Sequence, residues 1–72
     1  MYDHNPILDG LVTALAKRRA ELGLTQLALD DKIGLTQGHV AKWEARQRRP
    51  TGFMLSCWVS ALECDIMIIP KP

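Results

Sequence analysis

The chain has 72 residues, 47% of them hydrophobic, and its nine Lys or Arg residues nearly balance eight Asp or Glu residues. A chain of this length forms one small domain that buries only about 60% of its unfolded surface, so self-association would add stability. No apolar run approaches the roughly 18 residues of a membrane span, and the first residues lack the basic and apolar regions of a signal peptide. We therefore expect a soluble, cytoplasmic protein.

Helix 1 is predicted from Pro6 to Leu22. Asn5 is a suitable N-cap, Pro6 suits the first helical position, and Gly23 provides a stop. The helix carries one apolar stripe, made of Ile7, Leu8, Leu11, Leu15 and Leu22. Three basic residues near its end, Lys17, Arg18 and Arg19, suit the negative end of the helix dipole better than a phosphate contact.

Two short helices joined by a tight turn are predicted next. The triplet Leu-Thr-Gln occurs twice, and in each copy the threonine, Thr25 or Thr36, reads as an N-cap. Helix 2 then covers Gln26 to Ile33 and ends at Gly34, and helix 3 covers Gln37 to about Ala45. Two helices joined by a Gly-containing turn are typical of the helix-turn-helix, whose second helix enters the DNA major groove.

Helix 3 is expected to bury Val40 and Trp43 and to expose its other face. The candidate base-reading positions on that face are Gln37, Gly38, Ala41 and Lys42. His39 has two open interpretations, contact with a base or phosphate and an uncharged residue at the edge of the motif. Gln26, in the first turn of helix 2, is either a phosphate ligand or a solvated surface residue.

Positive charge is concentrated around helix 3, because residues 32–49 contain five basic side chains and one acidic side chain, a net charge of +4. The basic residues are Lys32, Lys42, Arg46, Arg48 and Arg49. Pro50 makes extension of helix 3 through Arg49 unfavourable, so residues 46–49 form a basic loop. We expect Arg46, Arg48 and Arg49 to contact the sugar-phosphate backbone, the alternative being a solvated charged surface.

The chain is predicted to end in a helix and a strand. Helix 4, from Gly52 to Leu62 with Thr51 as its cap, places Met54, Leu55, Trp58, Ala61 and Leu62 on one apolar side. Residues 64–69 are short, β-branched and followed by Pro70, which favours a strand. We expect this strand to pair with its copy in a second subunit through Ile66, Met67, Ile68 and Ile69. The alternative is an extended tail packed over the helices.

These residues resemble the Cro/Xre-type helix-turn-helix regulators, which include lambdoid phage repressors, restriction-modification controllers and many antitoxins. The resemblance covers roughly residues 15–62, through Gly23-Leu24-Thr25-Gln26, Leu29, Ile33-Gly34, Val40, Trp43-Glu44, Pro50 and Ala61-Leu62. It implies that Leu29, Val40 and Trp43 are core, that Gln26 binds phosphate, and that Thr36, Gln37, Gly38 and Lys42 face DNA. The C-terminal segment is also similar to the dimer-forming strand of antitoxins that pair with kinase-like toxins.

Two positions depart from the family pattern. Asp30 stands where the family usually has a small Ala, so its carboxylate must point outward or find a donor on helix 3. Arg46 stands where a Gly is common after the glutamate, so the loop backbone is expected to differ there.

The expected fold is an all-α, four-helix, lambda-repressor-like domain over residues 1–72, with a helical core at 5–62 and a strand at 64–69 paired across a dimer. The expected function is a homodimeric transcription regulator that binds double-stranded DNA at a palindromic operator and is nucleoid-associated when bound. The alternative is an antitoxin or adaptor that binds a protein partner, such as a toxin or the transcription machinery, and autoregulates its own operon.

Enzymatic and metal chemistry are not expected. Cys57 and Cys64 are predicted to be reduced, largely buried thiols. Cys57 with His39 or His4 is the one conceivable nucleophile–base pair, but Cys57 belongs to the packing pattern of helix 4. The two Cys and two His residues include no close ligand pair for zinc, and we expect no cofactor.

Overall fold

Four α-helices make up the regular structure of the computed structural model, which describes residues 5–72. The helices are α1 (Pro6–Glu21), α2 (Gln26–Ile33), α3 (His39–Glu44) and α4 (Gly52–Ala61). Helix α3 packs against α1 and α2, and α4 packs against α2. The predicted four-helix architecture is therefore found. No helix among the described residues is long and apolar enough to cross a membrane.

The helix boundaries follow from local capping chemistry. The side chains of Asn5, Thr25 and Thr51 each accept a backbone N–H from the first turn of α1, α2 or α4, at 3.0–3.1 Å. These three predicted N-caps are confirmed. At the C-terminal ends, Gly23 (φ +71°) and Gly34 (φ +92°) adopt the left-handed conformation that stops α1 and α2.

The core lies where all four helices meet. Its buried residues are Val12, Leu15, Leu29, Val40, Trp43, Trp58, Val59 and Leu62. The rings of Trp43 and Trp58 pack 5.1 Å apart between centroids and join α3 to α4. In α1 the expected apolar stripe is partly wrong, because Ile7 is 81% exposed and Val12 takes an interior position.

The predicted start of helix 3 and its predicted cap are wrong. Helix α3 begins at His39, its N-cap position is Gly38 at φ +101°, and no side chain of its own N-terminal segment caps it. The Thr36 hydroxyl instead lies 3.2 Å from Nε2 of His39. Gln37 therefore lies in the turn before α3, so helical spacing does not set its orientation relative to Lys42.

The predicted C-terminal strand is also wrong. Within the described chain, residues 64–72 have no regular secondary structure. Cys64 packs against the core, whereas Ile66, Met67, Ile68 and Ile69 are between 50% and 88% exposed. The physical reason is that strand propensity reflects packing against neighbouring strands, and no other part of residues 5–72 offers a strand to pair with.

Candidate nucleic-acid interface

The turn between α2 and α3 is held by one residue of α2, Asp30. Its backbone oxygen accepts the N–H groups of Gly34 at 3.0 Å and Leu35 at 2.9 Å. Its carboxylate accepts the N–H groups of Gly38 and Val40, each at 2.9 Å. Asp30 is 1% exposed, so water does not solvate its carboxylate. The N–H groups of Gly38 and Val40 and the positive end of α3 stabilise its charge instead. This carboxylate replaces Thr36 as the cap of α3.

The opposite end of α3 is fixed by the carboxylate of Glu44. Arg19 of α1 donates to it from Nε at 2.7 Å and from Nη2 at 3.0 Å, and Gln26 of α2 donates from Nε2 at 2.9 Å. The Glu44 side chain is only 9% exposed, so this network joins three helices in a largely dry setting. The hydrogen bond to Glu44 raises the pKa of Arg19, burial opposes that rise, and the charge of Glu44 adds to it.

Between these two fixed ends, the exposed side of α3 carries a small depression. It is lined by Gln37, Gly38, His39, Lys42 and Arg48. The structure thus brings five of the sequence-predicted DNA-binding residues together. Lys42 and Arg48 make the depression positively charged, and among the described residues no acidic side chain lines it. Polar donors and cations grouped on an exposed helix are suited to phosphates and base edges.

His39 lines this depression, and the neighbouring Thr36 contacts His39. His39 is half-buried, with its ring 6.0 Å from that of Trp43 and its Nε2 near the Thr36 hydroxyl. Thr36 is exposed.

The basic loop folds back onto the end of α3. The N–H groups of Gln47 and Arg48 both donate to the backbone oxygen of Lys42, at 2.9 and 3.3 Å. Arg48 and Arg49 are exposed and line an adjoining depression with His39, Trp43, Pro50, Thr51 and Met54. Two of the three predicted phosphate-binding arginines, Arg48 and Arg49, therefore lie beside the exposed side of α3.

Arg46 is placed differently from the other arginines of the loop. Its guanidinium lies against α1, donating to the Thr13 hydroxyl at 2.6 Å, to the Asp9 backbone oxygen at 3.1 Å and to Asp9 Oδ1 at 3.2 Å. Its backbone has φ +59°, the left-handed conformation usually reserved for Gly. The expectation that the loop backbone would differ from the family's left-handed turn is therefore wrong, because Arg46 adopts a left-handed conformation itself.

Gln26 and the tail residues do not line these depressions. The amide of Gln26 donates to Glu44, although an amide nitrogen carries a second N–H that remains available to a phosphate. The predicted dimerisation residues Ile66, Met67, Ile68 and Ile69 lie in the irregular tail after α4. Ile66 lines a different groove, with Ser56, Val59, Ser60, Glu63, Cys64 and Asp65.

Sequence reasoning missed the positioning roles of Arg19 and Glu44 and left that of Asp30 open. An acid in place of a small residue was the available signal for Asp30, since a buried carboxylate requires donors. For Arg19 and Glu44, which are 25 residues apart, no local pattern indicated contact.

Cys57, the candidate nucleophile of the enzymatic alternative, lies on α4. Cys57 and Cys64 are free and half-buried rather than fully buried, and His4 lies outside the described residues. Within residues 5–72, no group of three or more His, Cys, Asp or Glu side chains could hold a metal ion.

Comparison with known proteins agrees with the geometry. A family model for the helix-turn-helix of the Cro/Xre type matches residues 15–69, which is most of the chain and includes α2, the turn and α3. No curated protein and no solved structure matches the chain. The chain therefore belongs to the Cro/Xre-type helix-turn-helix family and is a DNA-binding transcriptional regulator.

Proposed function

We propose that the protein regulates transcription as a homodimer that reads a palindromic operator in the major groove through α3 and the turn before it. The observation that carries this proposal is the grouping of Gln37, Gly38, His39, Lys42 and Arg48 around one positively charged depression. Networks at both ends of α3 fix the position of this helix, and base readout requires such preorganisation.

The residues divide by the chemistry of their side chains. Gln37 suits bidentate pairing with adenine, and Lys42 suits the acceptors of guanine. Arg48 and Arg49 suit phosphates, where they would supply affinity without sequence preference. We assign Thr36, Gln26 and His39 to phosphate or base contacts as well. Gly38, which has no side chain, allows close approach of the turn to the DNA.

Self-association is supported by the surface that the monomer leaves exposed. Four consecutive apolar side chains, Ile66 to Ile69, lie in contact with solvent, which is unusual for a stable monomer. A regulator of this size also gains both burial and a second half-site by forming a dimer. We therefore propose the tail as part of the dimer contact, without a strand ladder.

The test of this function is selection of bound DNA from a random pool with the purified chain. We expect an enriched palindrome whose half-sites are about one helical turn apart, roughly 34 Å. Sedimentation should give a dimer of about twice the 8.1 kDa chain mass. Recovery of unenriched DNA would contradict sequence-specific regulation.

A second candidate function is that of an antitoxin or adaptor, in which the same exposed tail binds a protein partner. The apolar run Ile66 to Ile69 supports this function as well. Expression of the natural operon distinguishes the two. A partner that co-purifies with the full chain, and is lost on truncation after Glu63, supports the adaptor. A dimer with no co-purified partner supports the self-contained regulator.

A further inference from the structure

Asp30 is the buried charged residue of the described chain, with 1% of its surface exposed. It binds four backbone N–H groups, those of Gly34 and Leu35 through its backbone oxygen and those of Gly38 and Val40 through its carboxylate. These four amides span the whole turn from the end of α2 to the first turn of α3. The two amides at the start of α3 bind the side chain, so a carboxylate on α2 fixes the N-terminal end of α3.

Helix α3 has little else to fix its N-terminal end. It has six residues, its N-cap position is a glycine, and no side chain of its own N-terminal segment accepts an amide there. A short helix without a local cap is easily displaced or frayed. The Asp30 carboxylate supplies the missing acceptors from the neighbouring helix, so the restraint also sets the orientation of α3 relative to α2.

Burial of a carboxylate costs free energy, so stability alone does not explain a buried aspartate at this position. Its desolvation opposes folding, and an alanine at the same position would pack without that cost. A buried polar group with satisfied hydrogen bonds can instead fix one arrangement of the helices that it joins. The capping also leaves Thr36 exposed, with its hydroxyl beside His39, and leaves Gln37 exposed at the depression.

We infer that Asp30 is a positioning residue for DNA recognition: its carboxylate holds α3 and the preceding turn in the arrangement that presents Gln37 and Lys42 to the bases. With 1% of its surface exposed, Asp30 is too buried to contact DNA itself. This inference rests on the proposed function, since it concerns specificity for a selected site rather than general affinity for DNA.

The test compares Asp30→Ala with Thr25→Ala. Thr25 caps α2 through a hydrogen bond of 3.0 Å to Ala28 N–H, so its replacement removes a cap without touching α3. The measured quantity is the specificity ratio, the Kd for random DNA divided by the Kd for the selected site. We expect Asp30→Ala to lower this ratio about tenfold, the value of one good base contact. Its salt slope should be unchanged and its affinity for random DNA should not fall, because the substitution removes no phosphate contact, and Thr25→Ala should keep the wild-type ratio.

Two further measurements keep positioning separate from folding. Amide hydrogen exchange should accelerate at Gly38 and Val40 in Asp30→Ala, with little change in α1 and α4. Asp30→Asn keeps one carbonyl oxygen and should recover part of the specificity ratio, because one of the two amides still finds an acceptor.

Three results would overturn the inference. Asp30→Ala could keep the wild-type specificity ratio, or Thr25→Ala could lower it equally. Alternatively, both Asp30 variants could be unfolded at the assay temperature, which would assign Asp30 to overall stability. If the proposed function itself is wrong, the result differs, because the wild-type chain would then select no DNA site at all.

Discussion

The carboxylate of Glu44 accepts two hydrogen bonds from the guanidinium of Arg19, a bidentate pair that joins the end of α3 to α1. The same guanidinium donates from Nη1 to the Leu24 backbone oxygen at 2.8 Å, so it also fixes the start of the segment that leads into α2. Arginine suits this position because its planar group can satisfy several acceptors at once.

Replacement of Arg19 by Ala should destabilise the domain by about 2–3 kcal/mol. The loss leaves Glu44, whose side chain is 9% exposed, with Gln26 as its remaining side-chain donor. Urea denaturation measures this change. Lys17→Ala is the matched control, because it removes a positive charge from an exposed position of the same helix and should cost less than about 0.5 kcal/mol. Equal effects of the two variants would contradict the assignment.

The Arg19 contribution should not depend on pH in the neutral and mildly alkaline range. The pKa of Arg19 is raised in the folded state, so its stabilising effect is fully present below the unfolded pKa and is lost only as pH rises through the folded pKa. Both values lie far above this range. The free-energy difference between wild type and Arg19→Ala should therefore be the same at neutral and mildly alkaline pH.

Arg46 should reveal two opposing effects on stability. Arg46→Ala removes the contacts to Asp9 and Thr13 but keeps the unfavourable positive φ, so it should destabilise the domain. Arg46→Gly also removes the contacts, yet it relieves the backbone strain and should be about 1 kcal/mol more stable than Arg46→Ala. Thermal unfolding of both variants measures the difference. An equal loss of stability in both would show that backbone strain at Arg46 does not contribute.

The same Arg46 variants also test the predicted phosphate contact. A decrease of about one unit in the salt slope would support that contact. An unchanged slope would limit Arg46 to holding the loop against α1.

Local signals predicted the helices well, because caps and glycine stops act within one turn of the chain. Asn5, Thr25 and Thr51 perform the capping expected of them, and Gly23 and Gly34 adopt the expected left-handed conformation. The geometry of the DNA-binding surface, by contrast, depends on contacts between residues that lie further apart in the sequence. Thr36 has the same local sequence as Thr25, but the carboxylate of Asp30, six residues earlier, accepts N–H groups at the start of α3 in its place.

Local sequence patterns could not predict the irregular C-terminal segment or the Arg19–Glu44 pair. Residues 64–69 have the composition of a strand, but a strand depends on a partner that composition does not supply. Residues 19 and 44 meet because α1 and α3 pack together, and their separation in sequence carries no periodic signal. Both outcomes depend on tertiary structure.

Arg48 and Arg49 should supply affinity that does not depend on DNA sequence. Each neutralised phosphate releases condensed counterions, so the double replacement by Ala should weaken binding to selected and random DNA by similar factors. The salt slope should fall by about two units, one for each lost contact. Lys17→Ala, on α1, controls for the loss of one positive charge away from this surface, and its effect is doubled for the comparison. A slope unchanged by the double replacement would exclude both arginines from the backbone contacts.

Gln37 and Lys42 should contribute sequence preference separately, because they belong to different local structures. Gln37 lies in the turn before α3, Lys42 lies within α3, and both line the same depression. Two side chains that start from different backbone positions along the groove should reach different bases.

Gln37→Ala and Lys42→Ala should each cost roughly 1–3 kcal/mol of binding free energy at the selected site. Each should relax the preferred base at its own position in the half-site, because a Gln amide pairs with adenine and a Lys ammonium with guanine acceptors. Loss of Lys42 should in addition reduce binding to random DNA slightly, since it removes a charge, whereas loss of Gln37 should not. Binding-site selection with each variant measures both effects, and Gln47→Ala, an exposed glutamine of the loop, is the matched control for Gln37. Recovery of the wild-type motif at full stringency from both variants would show that other residues read the operator.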